Sequence, residues 1–355
     1  MQERDVIIVG AGLAGISLAR QLLGQGRSVT LLEKSRGVGG RCATRRIEDS
    51  RVDHGLPLLH GRSPAFLDVV AGAGGTLSLA PDWPFHTKGP GTPCQPQGHD
   101  SRSRRWAVVE GVSALPKHLA RGLDLVLEAR VTSLALDGGQ LGLTCESGDD
   151  YHARCVVLTC PVPQSLELLE PLAQSEGFEE LRGLVALLRR MLMIPCLTVM
   201  TGYDRPSAED WHLLLPGPKS IIHSLINDSS KRGAGARQTL VIQGSPAFSR
   251  RELESEPARW GDALLEAAAA ELGDWVGQPT WRQEHRWRYA RLQRGDELSH
   301  PVLLEWAGGS RLGLCGEAFN PAGGAEGAYL SGLELAGRIS AESATPVQGD
   351  EQRNA

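Results

Sequence analysis

The sequence has few lysines and no hydrophobic run long enough to cross a membrane. Its 355 residues carry a formal net charge of -5, and lysine occurs only at positions 34, 88, 117, 219 and 231. A weakly acidic chain with interspersed charges offers no field that attracts DNA, RNA or an anionic membrane. We therefore predict a soluble, cytoplasmic protein without nucleic-acid or membrane partners.

Several catalytic arrangements are also missing from the sequence. The seven cysteines are odd in number and form no CxxC motif, which indicates free thiols in a reducing compartment. The histidines have no metal-ligand spacing, so no metal site is predicted. There is no Ser-His-Asp set and no pair of catalytic carboxylates, which favours a reaction whose difficult step belongs to a cofactor.

The segment 5–41 has the pattern of a dinucleotide-binding site. A β-branched run from Asp5 to Val9 ends at Gly10, and apolar residues then recur at helical spacing. The positions of Gly10, Gly12 and Gly15 match GxGxxG, in which the glycines allow a tight turn and close approach of a pyrophosphate. A second apolar strand ends at Glu33, where a carboxylate suits the ribose hydroxyls of an adenosine.

The residues after this motif distinguish between dinucleotides. The run Arg36, Gly37, Gly39, Gly40 and Arg41 resembles the second half of the FAD fingerprint in the amine-oxidase branch of two-domain flavoproteins. The resemblance implies that backbone and arginine close over the pyrophosphate from the other side. FAD, bound non-covalently, is favoured over NAD.

The length predicts two domains with separate cores. We predict an α/β fold that resembles two-domain flavoproteins of the hydroxybenzoate-hydroxylase type, with a Rossmann-like FAD domain and an α+β substrate domain. The FAD-binding domain comprises 1–55, 106–162 and 291–340, and the substrate domain comprises 56–105 and 163–290. Residues 341–355 are polar and are predicted to be a disordered tail.

Several stretches together resemble the renalase-like flavoproteins of the flavin amine oxidase superfamily. They are GGRCATRR (39–46), EGVSALPKHLA (110–120), INDSSKRG (226–233), SPAFSRRELE (245–254), HRWRYA (285–290) and GGAEGAYLSG (323–332).

This resemblance implies two groups of site residues. The cofactor-binding group is Gly10, Gly12, Ala14, Gly15, Glu33, Lys34, Gly40, Arg41, the backbone of Val131, Glu317, Glu326 and Gly327. The group facing the flavin and substrate is Trp287, Arg288, Tyr289, Asn227, Ser229 and Lys231.

The alternation of side chains along a strand limits which residues of the second group can face the same cavity. On a regular strand Trp287 and Tyr289 share one face and Arg288 the other, so all three line one cavity only if the strand is twisted or bulged. The stretch DHGLPLLHG also differs from relatives and places His54 and His60 where the cavity wall is expected. More often, such histidines are hydrogen-bonded structural residues, and Trp275, Trp281 and Trp306 are core residues.

The resemblance implies oxidation of 1,2- or 1,6-dihydro isomers of NAD(P)H to NAD(P)+, with O2 as acceptor and hydrogen peroxide as product. One alternative is a classical amine oxidase or a desaturase-like FAD enzyme. Amine oxidases of this superfamily usually hold a lysine near flavin N5, and no lysine follows Lys231, which disfavours that alternative. The other alternative is a non-catalytic binder on the same fold.

Overall fold

The computed structural model describes most of the chain at the level of individual residues. The described residues are 4–73, 76–79, 86–87, 93–94, 104–207, 211–232 and 235–342. The predicted disordered tail lies outside them from residue 343 onward, as do Cys94's side chain and most of the segment 74–103.

The strands are, in chain order, β1 (Arg4–Val9), β2 (Val29–Glu33), β3 (Thr44–Ile47), β4 (Ser50–Asp53), β5 (Leu59–Gly61), β6 (Thr76–Leu79), β7 (His86–Thr87), β8 (Pro93–Cys94), β9 (Arg104–Val108), β10 (Asp124–Leu127), β11 (Val131–Asp137), β12 (Gln140–Cys145), β13 (Asp150–Leu158), β14 (Met193–Pro206), β15 (Leu213–Leu214), β16 (Ile222–Asn227), β17 (Arg237–Gly244), β18 (Trp281–Leu292), β19 (Val302–Glu305) and β20 (Arg311–Leu314). The α-helices are α1 (Leu13–Gly24), α2 (Pro64–Ala71), α3 (Ala114–Leu119), α4 (Val162–Ala173), α5 (Glu179–Leu188), α6 (Pro246–Arg251), α7 (Pro257–Leu272) and α8 (Gly324–Glu342).

A parallel sheet holds the amino-terminal glycine motif. Strands β10, β2, β1 and β13 lie side by side in parallel, and β20 continues the parallel order beyond β13. Strand β13 pairs with two different strands along its length. Its first half pairs with β12 of the β11–β12 hairpin, and its second half pairs with β20. The central strands are buried on both faces, as their continuous apolar sequences predict.

Helices cover both faces of this sheet. One core cluster contains apolar residues of α1, α3 and α8, and the other contains those of α4 and α5. Helices α1 and α8 lie very close together, since a Cβ on Gly332 would stand 2.2 Å from the Ser17 hydroxyl oxygen. That hydroxyl donates to the Tyr329 carbonyl over 2.9 Å, so the first and last helices are joined directly.

A second sheet of five strands has the order β15-β16-β17-β14-β18 and is antiparallel. Its core cluster includes Trp260 and Leu264 of α7. The β3–β4 hairpin packs on the same sheet through Ile47 and Val52, which share a cluster with Met200. The hairpin thus connects the glycine-rich loop to the second sheet and sets the position of the residues around 45 and 54.

Many elements agree with the sequence pattern, and several differ in extent. The sequence pattern predicts helices over 177–193 and 257–272 and a strand over 311–314. Helix α7 and strand β20 have the predicted bounds. The helix predicted over 177–193 is too long at both ends, because α5 covers Glu179–Leu188 and β14 already begins at Met193. Strand β9 pairs with β5 and β6, so the chain rejoins the parallel sheet only at β10. Among the described residues, no helix combines the length and apolar character that crossing a membrane requires.

Candidate cofactor and substrate site

The turn between β1 and α1 can accept only glycine at two of its three motif positions. Gly10 has a φ of +108°, and a Cβ there would lie 2.6 Å from the Thr159 hydroxyl oxygen. A Cβ on Gly15 would lie 2.1 Å from the Gly10 carbonyl oxygen. The Thr159 hydroxyl donates to the carbonyls of both Val9 and Gly10, which fixes the turn against the end of β13.

Gly12 leaves open the space above the start of α1. It is the N-cap residue, no side chain caps the helix, and a Cβ on it would meet no atom within 4 Å. Gly40, with a φ of +54°, approaches from the opposite loop, where its Cβ would stand 3.8 Å from the Gly12 Cα. Free N–H groups of the first helical turn, including that of Ala14, favour an anion here, so this cradle fits the pyrophosphate of a dinucleotide such as FAD.

Glu33 lies at the end of β2 with only 6% of its surface exposed. Its carboxylate accepts hydrogen bonds from the Ala11 and Ser35 N–H groups, each over 2.8 Å. Each oxygen keeps a further lone pair, which a ribose hydroxyl can use. Lys34, the next residue, is exposed.

The remaining residues predicted to bind the cofactor occupy distinct places around this cradle. The Arg41 guanidinium contacts the Glu317 carboxylate and donates to the Ala290 carbonyl over 3.3 Å. Both ionised side chains line a small cavity with Thr159, Cys160 and Phe319. The structure therefore joins Arg41 and Glu317 to each other at the point where the glycine-rich loop meets the end of β18.

Glu326 and Gly327 lie in the first turn of α8, and the carboxylate of Glu326 already has partners. It accepts from the N–H groups of Arg62 and Ser63 over 2.8 and 2.6 Å. This contact holds the start of α2 against the start of α8. Val131 stands at the first position of β11, beside a register shift in its pairing with β12.

A cluster of aromatic side chains, which we call the aromatic wall, consists of His54, His285 and Trp287. The rings of His54 and Trp287 stack with centroids 5.4 Å apart, and His285 meets each of them edge-on at 4.8 and 4.4 Å. The Trp287 indole N–H donates to the His54 carbonyl over 2.9 Å. Gly55, next to His54, packs so closely on the Arg41 carbonyl that a Cβ would lie 2.2 Å from it. The aromatic wall thus lies next to the glycine-rich loop that ends at Arg41.

Both imidazoles of the aromatic wall are neutral. Burial, followed by the charges of His285 and Arg45, lowers the pKa of His54 to about 3. Burial and then Arg45 lower the pKa of His285 to about 4. Nδ1 of His54 is buried and has no hydrogen-bond partner in the part of the chain that the structure describes. The wall therefore presents apolar ring surface and uncharged nitrogen atoms.

The other residues predicted to face the substrate lie outside the aromatic wall. Arg288 points to the opposite side of β18, where its guanidinium pairs with the Glu254 carboxylate. The pairing of β14 with β18 is irregular between Ile194 and Cys196, opposite 287–291, so simple alternation fails there. Tyr289 is partly buried in this irregular stretch.

Asn227 and Ser229 belong to a buried hydrogen-bond network of the second sheet. The Asn227 amide donates to the Trp211 carbonyl over 3.0 Å, and its oxygen accepts from Ser229 and Gln238. Asn227 is fully buried and Ser229 nearly so. In these positions they hold the sheet and its loop together.

Lys231 belongs to a buried group of four charges, the ion quartet Asp53, Asp228, Lys231 and Arg232. Its ammonium lies 2.6 Å from Asp228 and 3.3 Å from Asp53, and the Arg232 guanidinium lies 2.8 and 2.9 Å from the same carboxylates. Burial would raise the pKa of Asp228, but Lys231 and Arg232 together lower it. The quartet fixes β4, and with it His54, against the second sheet, so Lys231 acts as a structural residue.

Sequence reasoning missed Arg45 and treated His54 mainly as a structural histidine. Arg45 lies on β3, and its guanidinium reaches Gln283 and His285 of β18. Alternation on a four-residue hairpin strand separates Arg45 from its neighbour Arg46, but it does not show which of the two faces inward. His60 lies on β5 opposite Arg105, away from these contacts.

Comparisons with known proteins agree with this geometry. Residues 8–72 match the model of the NAD(P)-binding Rossmann-like domain, and residues 82–340 match that of flavin-containing amine oxidoreductases. A cyclohexylamine oxidase structure from Brevibacterium oxydans superposes with a TM-score of 0.73 at 15% identity, covering 97% of this chain and 100% of that chain. A putrescine oxidase bound to putrescine gives 0.72 at 16% identity, with 96% and 99% covered.

Sequence matches to curated proteins are shorter. A putrescine oxidase of Kocuria rosea is 34% identical over 95 residues, which is 24% of this chain and 20% of that protein. An L-amino acid oxidase of Crotalus durissus cumanensis is 48% identical over 60 residues, or 16% of this chain and 12% of that protein. The chain thus matches at most about a fifth of the length of these relatives.

Proposed function

The chain belongs to the family of flavin-containing amine oxidoreductases, and on that premise we propose that it is an FAD-dependent oxidase of dihydronicotinamide nucleotides. FAD is the cofactor of this family, typically held non-covalently. The substrates are 1,2- or 1,6-dihydro isomers of NAD(P)H, the products are NAD(P)+ and hydrogen peroxide, and O2 is the acceptor. Residues 1–55, 106–162 and 291–340 form the FAD-binding domain in this proposal, with the substrate domain arranged as in hydroxybenzoate-hydroxylase-type flavoproteins.

The chemistry of the aromatic wall carries the proposal. Its ring-bearing residues are His54, His285 and Trp287, both imidazoles are neutral, and the cation Arg45 lies beside His285. A protonated amine would find no carboxylate among these side chains. A neutral planar dihydropyridine can instead stack on apolar ring surface.

The reaction also needs no proton transfer from these residues. When bound, FAD would supply the acceptor for a hydride, and loss of that hydride turns a dihydropyridine into the aromatic pyridinium without removal of a proton by a base. The task of the wall is then to orient the ring and exclude water. Stacked on Trp287 so that C2 or C6 is presented, a nicotinamide leaves C4 out of reach, and such misplacement can cost about a hundredfold in rate.

The second candidate is oxidation of an amine, which the names of the relatives favour. Lys231 is the last lysine of the chain, and its side chain is 1% exposed and paired with two carboxylates. It is therefore unavailable for the role that lysine usually has near the flavin in amine oxidases.

Anaerobic mixing separates the two candidates. The purified holoenzyme is mixed with 1,2-dihydro-NAD(P), 1,6-dihydro-NAD(P), 1,4-dihydro-NAD(P)H, putrescine or cyclohexylamine, and loss of flavin absorbance is followed. We expect the 1,2- and 1,6-isomers to bleach the flavin at least about a hundredfold faster than the other donors. Faster bleaching by either amine would replace the proposal with the second candidate.

A further inference from the structure

The guanidinium of Arg45 is a partly buried cation without a carboxylate partner in the described part of the chain. It donates to Gln283 Oε1 over 3.1 Å and lies 3.3 Å from Nδ1 of His285. Both partners are uncharged. Nearby arginines differ, since Arg282 pairs with two carboxylates and Arg288 with one.

Donor and acceptor roles at His285 follow from this contact. A guanidinium has donors only, so Nδ1 of His285 must accept, which fits a neutral ring protonated at Nε2. The charge of Arg45 in turn lowers the pKa of both histidines of the wall. The imidazoles therefore accept from the cation without neutralising its charge.

Partial burial of an unpaired charge is unfavourable and favours an anionic ligand. Burial lowers the pKa of the Arg45 guanidinium, although this group stays protonated in proteins. Among the described residues, only two of its five donor positions have a partner, and the planar fork suits two oxygens of one phosphate. The buried Nδ1 of His54, which also has no partner among those residues, lies in the same wall.

A second arginine adds positive potential along the same strand. Arg291 lies on β18 opposite Ile194, and its charge lowers the pKa of His223 on β16. Over the ranges that the structure describes, Arg291 also has no carboxylate within salt-bridge distance. Positive charge thus lies near both ends of the strand segment that carries His285 and Trp287.

We propose that Arg45 is a specificity-determining residue that binds a phosphate group of the substrate nucleotide. This inference rests on the proposed function, because it assigns the phosphate to a dihydronicotinamide nucleotide whose ring stacks on the aromatic wall. The phosphate and the ring are recognised by neighbouring groups, Arg45 for the charge and Trp287 for the ring.

The test compares two donors that differ only in the phosphate. The mononucleotide and the riboside of 1,2-dihydronicotinamide are mixed anaerobically with holoenzyme, and the second-order rate constant of flavin bleaching is measured. The variants are Arg45→Gln, which removes the charge, Arg45→Lys, which keeps it, and Arg46→Gln. Arg46 is exposed on the same hairpin strand, so its variant matches the loss of charge.

We expect the wild-type protein and Arg46→Gln to prefer the mononucleotide by about tenfold or more, the value of a charged hydrogen bond. Arg45→Gln should lose this preference, because its rate falls more with the mononucleotide than with the riboside, and Arg45→Lys should retain part of it. Added salt should slow the mononucleotide reaction in the wild type and leave the riboside reaction unchanged, because salt screens the charge. A purely structural role of Arg45 would slow both donors alike and overturn the inference.

Product binding keeps the two proposals distinguishable. Oxidised nicotinamide mononucleotide is titrated into holoenzyme, and perturbation of the flavin spectrum gives its Kd. Tighter binding to the wild type than to Arg45→Gln supports the phosphate site even if neither donor bleaches the flavin, a result that would refute the proposed function alone. Equal Kd values would overturn the phosphate site, and bleaching by L-amino acids that depends on Arg45 would assign the arginine to a carboxylate.

Discussion

The indole N–H of Trp287 donates to the backbone carbonyl of His54 over 2.9 Å, while the two rings stack with an interplanar angle of 27°. Two residues that are distant in sequence thus define one surface by a hydrogen bond and a ring contact. Because His54 follows Asp53 of the ion quartet, the orientation of the indole depends on the second sheet and the β3–β4 hairpin together.

Replacing Trp287 by Ala should slow flavin reduction by the dihydro isomers at least about tenfold while FAD stays bound. The indole confines the substrate ring in our proposal and has no assigned contact with the cofactor. Stopped-flow bleaching and flavin content measure the two effects. Trp275→Ala is the matched control, since that indole also donates to a backbone carbonyl, that of Leu272, but lies beside Tyr203. Loss of flavin in Trp287→Ala would contradict this assignment.

Glu33→Gln should weaken FAD binding by about ten- to a hundredfold, since one charged hydrogen bond contributes about 1.5–3 kcal/mol. The amide keeps the size of the side chain, but it places a donor against the N–H of Ala11 or Ser35. Dialysis and fluorescence of released flavin give the affinity. Glu146→Gln, at an exposed carboxylate, should bind FAD like the wild type. Equal affinity of Glu33→Gln would show that the carboxylate serves only the backbone.

Lys231→Met should lower the free energy of unfolding by about 3–5 kcal/mol, because it leaves the carboxylates of Asp53 and Asp228 buried with one cation fewer. Urea unfolding of the holoenzyme measures this change, with Lys219→Met at an exposed position as control. The folded variant should still be reduced by the dihydro isomers at close to the wild-type rate. A stable variant with a large loss of rate would return Lys231 to the catalytic group.

His54 should make the protein less stable as the pH falls below 6.5. In the folded protein its pKa is lowered to about 3, whereas in the unfolded chain it titrates near 6.5. Between these values the unfolded chain binds a proton that the folded protein does not, so the free energy of unfolding decreases as the pH falls.

His54→Gln removes this contribution, and its urea midpoint should fall less steeply between pH 6.5 and about 4. His152→Gln, at an exposed histidine, should keep the wild-type slope. Parallel slopes for His54→Gln and the wild type would mean that His54 titrates normally in the folded protein.

Local spacing explains which features the sequence could predict. The glycine motif, Glu33 and Arg41 lie within one strand-turn-helix-strand unit, where each position has a stereochemical reason that is visible in the sequence. The ends of helix α7 also have local causes in the sequence. Pro257 is its first residue, and Gly273, with a φ of +103°, follows its last residue.

The substrate side could not be predicted in the same way, because its contacts join distant segments. Lys231 was assigned to the substrate, but its partner Asp53 lies 178 positions away. Arg288 follows Trp287 directly, so strand alternation places it on the other face, but only the structure shows its partner Glu254 there. Asp228 lies three and four positions before Lys231 and Arg232, a spacing at which side chains can meet on one helical turn, so this local part of the quartet was open to prediction.

The contact between α1 and α8 limits how early the nucleotide-binding fold can be completed during synthesis. The Ser17 hydroxyl and the Tyr329 carbonyl are 312 positions apart, and β20 reaches the parallel sheet after nearly all other strands have been synthesised. The glycine turn emerges early from the ribosome, but the helix that packs behind it emerges about 300 residues later. Pairings of such long range fold slowly. FAD should therefore be held tightly only after α8 has been synthesised and has packed on α1.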